Sequence, residues 1–176
     1  MQIAIDTTTE YAGVALVNEG RIIGEMNWFC GQNHTIELLP RLTFLLHQAR
    51  LEMKSATGII TALGPGSFNG LRVGVTTAKG LALSLDVPIV GVSSLSVEAY
   101  AHAATGLPVC AIHNAGREEV ATATYRLLRG KWQRLAEERI TTVEALCAEI
   151  TTKTIFCGEF MAARSEEHTS ELQSQR

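Results

Sequence analysis

The feature that most constrains this chain is an order of segments that occurs twice. Residues 2–6, 11–17 and 21–29 have β-compatible patterns, with turn chemistry at Asn18-Glu19-Gly20. The period then becomes helical over 33–50, where Asn33 is the candidate N-cap, Glu37 lies near the first turn and Pro40 predicts a kink. A strand over 57–63, a helix over 68–85 capped by Ser67, a strand over 89–92 and a helix from Ser93-Ser94 to about 104 complete the first pass. After Gly106-Leu107-Pro108 the order restarts with strands over 109–113, 119–128 and 131–135, a helix over 142–150 and a strand over 154–157.

A hairpin-rich start followed by βα units implies a mixed sheet flanked by helices. Two such passes predict an α/β chain with the duplicated actin-like ATPase, or ribonuclease H-like, fold and an incomplete second copy. The expected divisions are a first domain over 1–105, a truncated second domain over 106–163 and a tail over 164–176. The tail, Arg-Ser-Glu-Glu-His-Thr-Ser-Glu-Leu-Gln-Ser-Gln-Arg, is polar and aperiodic, and it reads as translated sequencing-library adapter rather than native sequence.

Composition excludes several classes of function. Fifteen Lys and Arg against eighteen Asp and Glu give a net charge of −3 without a basic stripe, so the chain alone is a poor nucleic-acid binder. No basic leader with an apolar core opens it and no unbroken apolar run could span a membrane, which places it in the cytoplasm by default. Cys30, Cys110, Cys147 and Cys157 form no Cys-x-x-Cys pair and are expected as free thiols. His34, His47, His102, His113 and His168 offer no metal-ligand spacing, so no metal is expected on this chain.

The richest local signal is Gly64-Pro65-Gly66-Ser67-Phe68-Asn69-Gly70-Leu71-Arg72-Val73-Gly74. It lacks the Gly-Lys-Ser/Thr ending of a P-loop. Gly64, Gly66, Gly70 and Gly74 read as a tight turn with close helix packing, and anion binding at the helix N-terminus is the alternative. Along that helix Gly70, Leu71, Gly74, Val75, Ala78, Leu81, Ala82 and Leu85 share one face. The other side carries Asn69, Val73, Thr76, Gly80, Leu83 and Ser84, with Arg72 and Lys79 as the only charges in the helix. That is too little charge for a solvated face, so either a partner chain or the second domain is expected to cover it. In the preceding helix Leu38, Leu39, Leu42, Leu45, Leu46 and Ala49 form the inward face, with Phe44 on the other side.

Asp6, with Thr7 and Thr8, is read either as an Asx turn or as a vestigial phosphate loop. Phosphate or Mg²⁺ chemistry needs a second carboxylate nearby, yet the chain has only Asp6 and Asp86 besides its Glu residues, and the corresponding second-half turn, His113-Asn114-Ala115-Gly116-Arg117, has no acid. Ser93 and Ser94 read as helix caps rather than nucleophiles. No catalytic residue is therefore assigned.

From 3 to about 160 the sequence closely resembles the bacterial TsaB (YeaZ) family. The glycine segment at 64–74 is the most specific match, with Asn69 where the family usually has Thr. Ile5-Asp6-Thr7-Thr8, His34 with Pro40, Ala78-Lys79-Gly80-Leu81-Ala82 and Gly91-Val92-Ser93-Ser94-Leu95 support it. The resemblance implies a non-catalytic, cytoplasmic subunit that pairs with the paralogue TsaD to place threonylcarbamoyl on the adenosine beside the tRNA anticodon. TsaC makes the threonylcarbamoyl-adenylate donor, TsaE supplies an ATPase, and tRNA is reached through the complex.

TsaD carries a metal-binding His pair where this chain has Ser93-Ser94, so metal and ATP are implied on partner subunits and no cofactor on this one. The implied partner surface comprises Phe44, Asn69, Arg72, Val73, Thr76 and Gly80, with homodimer formation as another use of it. Asn114-Ala115-Gly116 replaces the family's Asp-Ala-Arg, which puts any role of that acid in doubt. The competing reading is a fragment of an actin-like ATPase or sugar kinase, and the shortage of Asp argues against it. A glycoprotease label attached to the family has no support, since no nucleophile–His pair or zinc site is visible.

Overall fold

The computed structural model describes residues 1–158. The chain divides into two compact units, one over Met1–Ser94 and one from Leu95 onward.

In the first unit β1 (Gln2–Asp6), β2 (Tyr11–Asn18) and β3 (Arg21–Phe29) form an antiparallel meander. β4 (Gly58–Ala62) adds parallel to β1 and β5 (Ile89–Val92) parallel to β4, giving the order β3-β2-β1-β4-β5. Alternation decides which face is buried: Ile3 pairs with Leu16 and Ile5 with Val14, and all four side chains point into one core. Leu38, Leu42, Leu45 and Leu46 of α1 (His34–Gln48) and Ala78 and Ala82 of α2 (Phe68–Leu85) close that core.

α1 runs through Pro40 as one element. Asn33 occupies the N-cap position but makes no side-chain cap; its carbonyl accepts from the amides of Ile36 and Glu37. Leu39, expected inside, is 45% exposed because it lies at the edge of the apolar arc. α2 starts as read, with Ser67 Oγ accepting from the Gly70 amide at 3.3 Å. It ends at Asp86, which is left-handed (φ 54°), and Val87 N–H bonds back to Ala82 O at 3.0 Å.

The second unit repeats the path. β6 (Val109–Gly116), β7 (Glu119–Leu128) and β8 (Lys131–Thr142) form the meander, α4 (Val143–Glu149) follows, and β9 (Ile155–Cys157) returns parallel to β6. The order β8-β7-β6-β9 matches the first four strands of the first sheet, and no equivalent of β5 follows among the described residues. A left-handed glycine ends the parallel return strand in both units, Gly64 (φ 93°) after β4 and Gly158 (φ 127°) after β9.

Three boundaries differ from the sequence reading. β8 extends to Thr142 rather than 135, as an exposed edge strand with two register shifts against β7, each adding a residue to β8 around Leu135 and Glu137-Glu138. The third helix, α3 (Ser94–Tyr100), is shorter than expected and gives way to a 3-10 turn at Ala103–Thr105. The units part at 94/95 instead of 105/106, because α3 buries Leu95 and Ala99 against Val109, Ala111, Ala123 and Tyr125 of the second core. The expected adapter tail over 164–176 lies outside the described residues.

Candidate functional site

The glycine segment and the β1–β2 turn form one packed unit. Ser67 N–H donates to Thr8 O at 2.6 Å, and Thr7 Oγ1 donates to Gly70 O at 2.8 Å. A β-carbon on Gly66 would overlap Thr8, and one on Gly70 or Gly74 would overlap Thr7. The four-residue spacing of Gly66, Gly70 and Gly74 is what lets α2 lie directly on the turn. Asp6 Oδ1 accepts from both the amide (2.9 Å) and the hydroxyl (2.7 Å) of Thr8, so Asp6 forms the Asx turn. Thr7 and Thr8 are buried, and His34 Nε2 is hydrogen-bonded to Thr9 O at 2.9 Å. In the second unit Asn114 Oδ1 accepts from the Gly116 amide at 2.7 Å, the same turn without the charge.

The outer side of α2 is the second feature. Asn69, Arg72, Thr76, Lys79, Gly80, Leu83 and Ser84 are exposed, as the sequence reading has it. Val73 is not: it is half-buried and packs on the first core. A β-carbon on Gly80 would meet nothing within 4 Å. Phe68 and Leu83 are 72% and 86% exposed, and the Arg72 guanidinium sits 5.5 Å from the Phe68 ring centroid.

Phe44 on α1 is exposed together with Ile36 and Leu39. Asn69, Arg72, Val73 and Thr76 gather, with Glu10 and Gln32, around a polar cleft of about 530 Å³. Phe68 and Ile36 were absent from the sequence-derived surface. Carrying the helical periodicity one turn further toward each helix N-terminus would have found them.

The remaining candidates are structural. Ser93 and Ser94 hydroxyls are buried without a hydrogen-bond partner, so they do not cap α3. His113 Nε2 lies 2.6 Å from Glu98 Oε2 inside the second unit. Burial pushes the Cys30 thiol up, and burial, then Glu98 and Cys110, push Cys157 up to about 11, which makes both poor nucleophiles. Among the described residues no three His, Cys, Asp or Glu side chains cluster as metal ligands, and no helix is long and apolar enough to cross a membrane.

The family model described as TsaD, tRNA N6-adenosine threonylcarbamoyltransferase, matches residues 29–162. The tRNA threonylcarbamoyladenosine biosynthesis protein TsaB of Bacillus subtilis is 36% identical over 138 residues, 78% of this chain and 60% of that protein. This chain thus spans about three fifths of that relative's length. Among solved structures, a Pseudomonas aeruginosa protein described as similar to peptidase YEAZ superposes with a TM-score of 0.80 at 28% identity, over 88% of this chain and 74% of its own. YeaZ from Pseudomonas aeruginosa superposes at 0.73 with 30% identity, over 79% and 66%.

Proposed function

The chain belongs to the threonylcarbamoyltransferase family, on its TsaB (YeaZ) branch, and from that premise we propose that it is the non-catalytic subunit that pairs with TsaD in threonylcarbamoylation of the tRNA adenosine beside the anticodon. The observation that carries this is the outer side of α2, where a mid-helix glycine stands open between exposed apolar residues. An exposed glycine weakens a helix by about 1 kcal/mol relative to alanine, and what it provides is room for a second backbone.

The groups that other actin-like proteins turn toward phosphate are committed here to packing: Thr7 to Gly70, Asp6 to Thr8, and Asn114 in place of an acid. The chain's part in the reaction is therefore to support the catalytic subunit. ATP and metal belong to partners in this reading, TsaC supplies the activated donor, TsaE acts through the assembly, and the whole works in the cytoplasm.

Calorimetric titration of TsaD from the same source into this chain tests the proposal. Binding by the native chain, and its loss in Gly80→Leu at unchanged fold, is the expected result. Unchanged affinity in Gly80→Leu would exclude this side of α2 as the interface.

A further inference from the structure

At about 100° per residue, Phe68, Arg72, Thr76, Lys79 and Leu83 fall within roughly 80° of arc on the exposed side of α2. The stripe is apolar at both ends and cationic between. Its cations are unanswered: among the described residues neither Arg72 nor Lys79 is in an ion pair, and α2 contains no Asp or Glu. On α1 the one carboxylate, Glu37, is held by Arg41 at 2.9 Å. Glu10 lies at the cleft rim and Asp86 caps the far end, both outside the stripe.

We infer that this stripe selects a heterologous partner helix carrying carboxylates opposite Arg72 and Lys79, and selects against a second copy of this chain. The inference rests on the proposed interface and concerns what the interface prefers. Self-pairing of the stripe has two simple registers. A parallel twofold sets Arg72 on Arg72 and Lys79 on Lys79. An antiparallel one that joins Phe68 to Leu83 of the copy sets Arg72 against Lys79 of the copy. The apolar ends tolerate a copy in that second register, but the charges repel in both. A partner that meets the same apolar ends and supplies two carboxylates gains attraction at the points where a copy meets repulsion. Two cations framed by Phe68 and Leu83 make too short and too apolar a track for a phosphate backbone, so the favoured partner is a protein.

Salt separates the two pairings by sign. Raising NaCl from 50 to 500 mM screens attraction and repulsion alike. TsaD binding, followed by calorimetry, should weaken about tenfold, while self-association, followed by sedimentation equilibrium, should strengthen. Lys79→Glu, at an exposed position that leaves the fold intact, should weaken TsaD binding about tenfold and promote self-association, because Glu then faces Arg72 of the copy. A TsaD complex broken by Gly80→Leu yet indifferent to salt and to Lys79→Glu would overturn charge selection and leave the functional reading standing. No complex with native protein would overturn both.

Discussion

Gly74→Ala sets two effects of opposite sign against each other. Helix propensity favours alanine by about 1 kcal/mol at a mid-helix position. Packing opposes it, because the new methyl would overlap the Thr7 hydroxyl oxygen, with Thr7 Cβ at 3.4 Å and Cγ2 at 3.7 Å closing the space behind. That hydroxyl is not idle, since it makes the buried 2.8 Å bond to Gly70 O. Either Thr7 turns away and the bond is lost, costing about 1 to 3 kcal/mol with the stranded carbonyl, or α2 lifts from the turn at a similar overpacking cost.

Packing therefore wins, and a net destabilisation of about 2 kcal/mol is expected, read as a lower urea midpoint at unchanged slope. The same substitution six residues on, Gly80→Ala, meets open space and should stabilise the isolated chain by about 1 kcal/mol. Thr7→Ala removes the obstructing hydroxyl, so Gly74→Ala should cost far less in that background. A Gly74→Ala chain as stable as the native one, or strict additivity with Thr7→Ala, would refute the packing account.

Two further predictions follow from the thiols. In native protein at neutral pH a maleimide should label the exposed Cys147 quickly and spare the buried Cys30, Cys110 and Cys157, as peptide mapping would show; equal labelling of all four would contradict the burial. Because the folded state raises Cys157 from an ordinary value of 9 to about 11, it favours the protonated thiol. The stability this contributes is whole below pH 9 and lost as pH rises through 11, so Cys157→Ala should flatten the alkaline fall in urea midpoint.

Much of the fold was legible because each element announces itself locally. Ile3, Ile5, Val14 and Leu16 alternate, and Leu38, Leu42, Leu45 and Leu46 keep helical spacing, so strand and helix periods did not compete. β8 was cut short because its later residues, from Ala136 to Ile140, are exposed on both faces and carry no alternation to read. The unit boundary was misplaced because Leu95 and Ala99 announce a helix without saying which sheet it covers. At the surface, Arg72, Thr76 and Gly80 were readable from the wheel, whereas Val73 lies on the flank where α2 still reaches the core. The caps at Ser93 and Ser94 failed because burial, which no local pattern encodes, removed their hydroxyls from the helix end.

The irregularities along β8 bear on how this protein behaves in concentrated solution. A twelve-residue edge strand offers a row of backbone donors and acceptors on which another molecule could build, the first step of open-ended aggregation. The extra residues at Leu135 and Glu137-Glu138 interrupt the hydrogen-bonding rhythm that an incoming strand would follow, and the two carboxylates set charge beside the break. Arg134, bonded to Glu137 at 2.7 Å and 3.6 Å from Glu138, holds them along the strand. What looks like imperfect pairing within the second sheet is thus also a guard against growth at its margin.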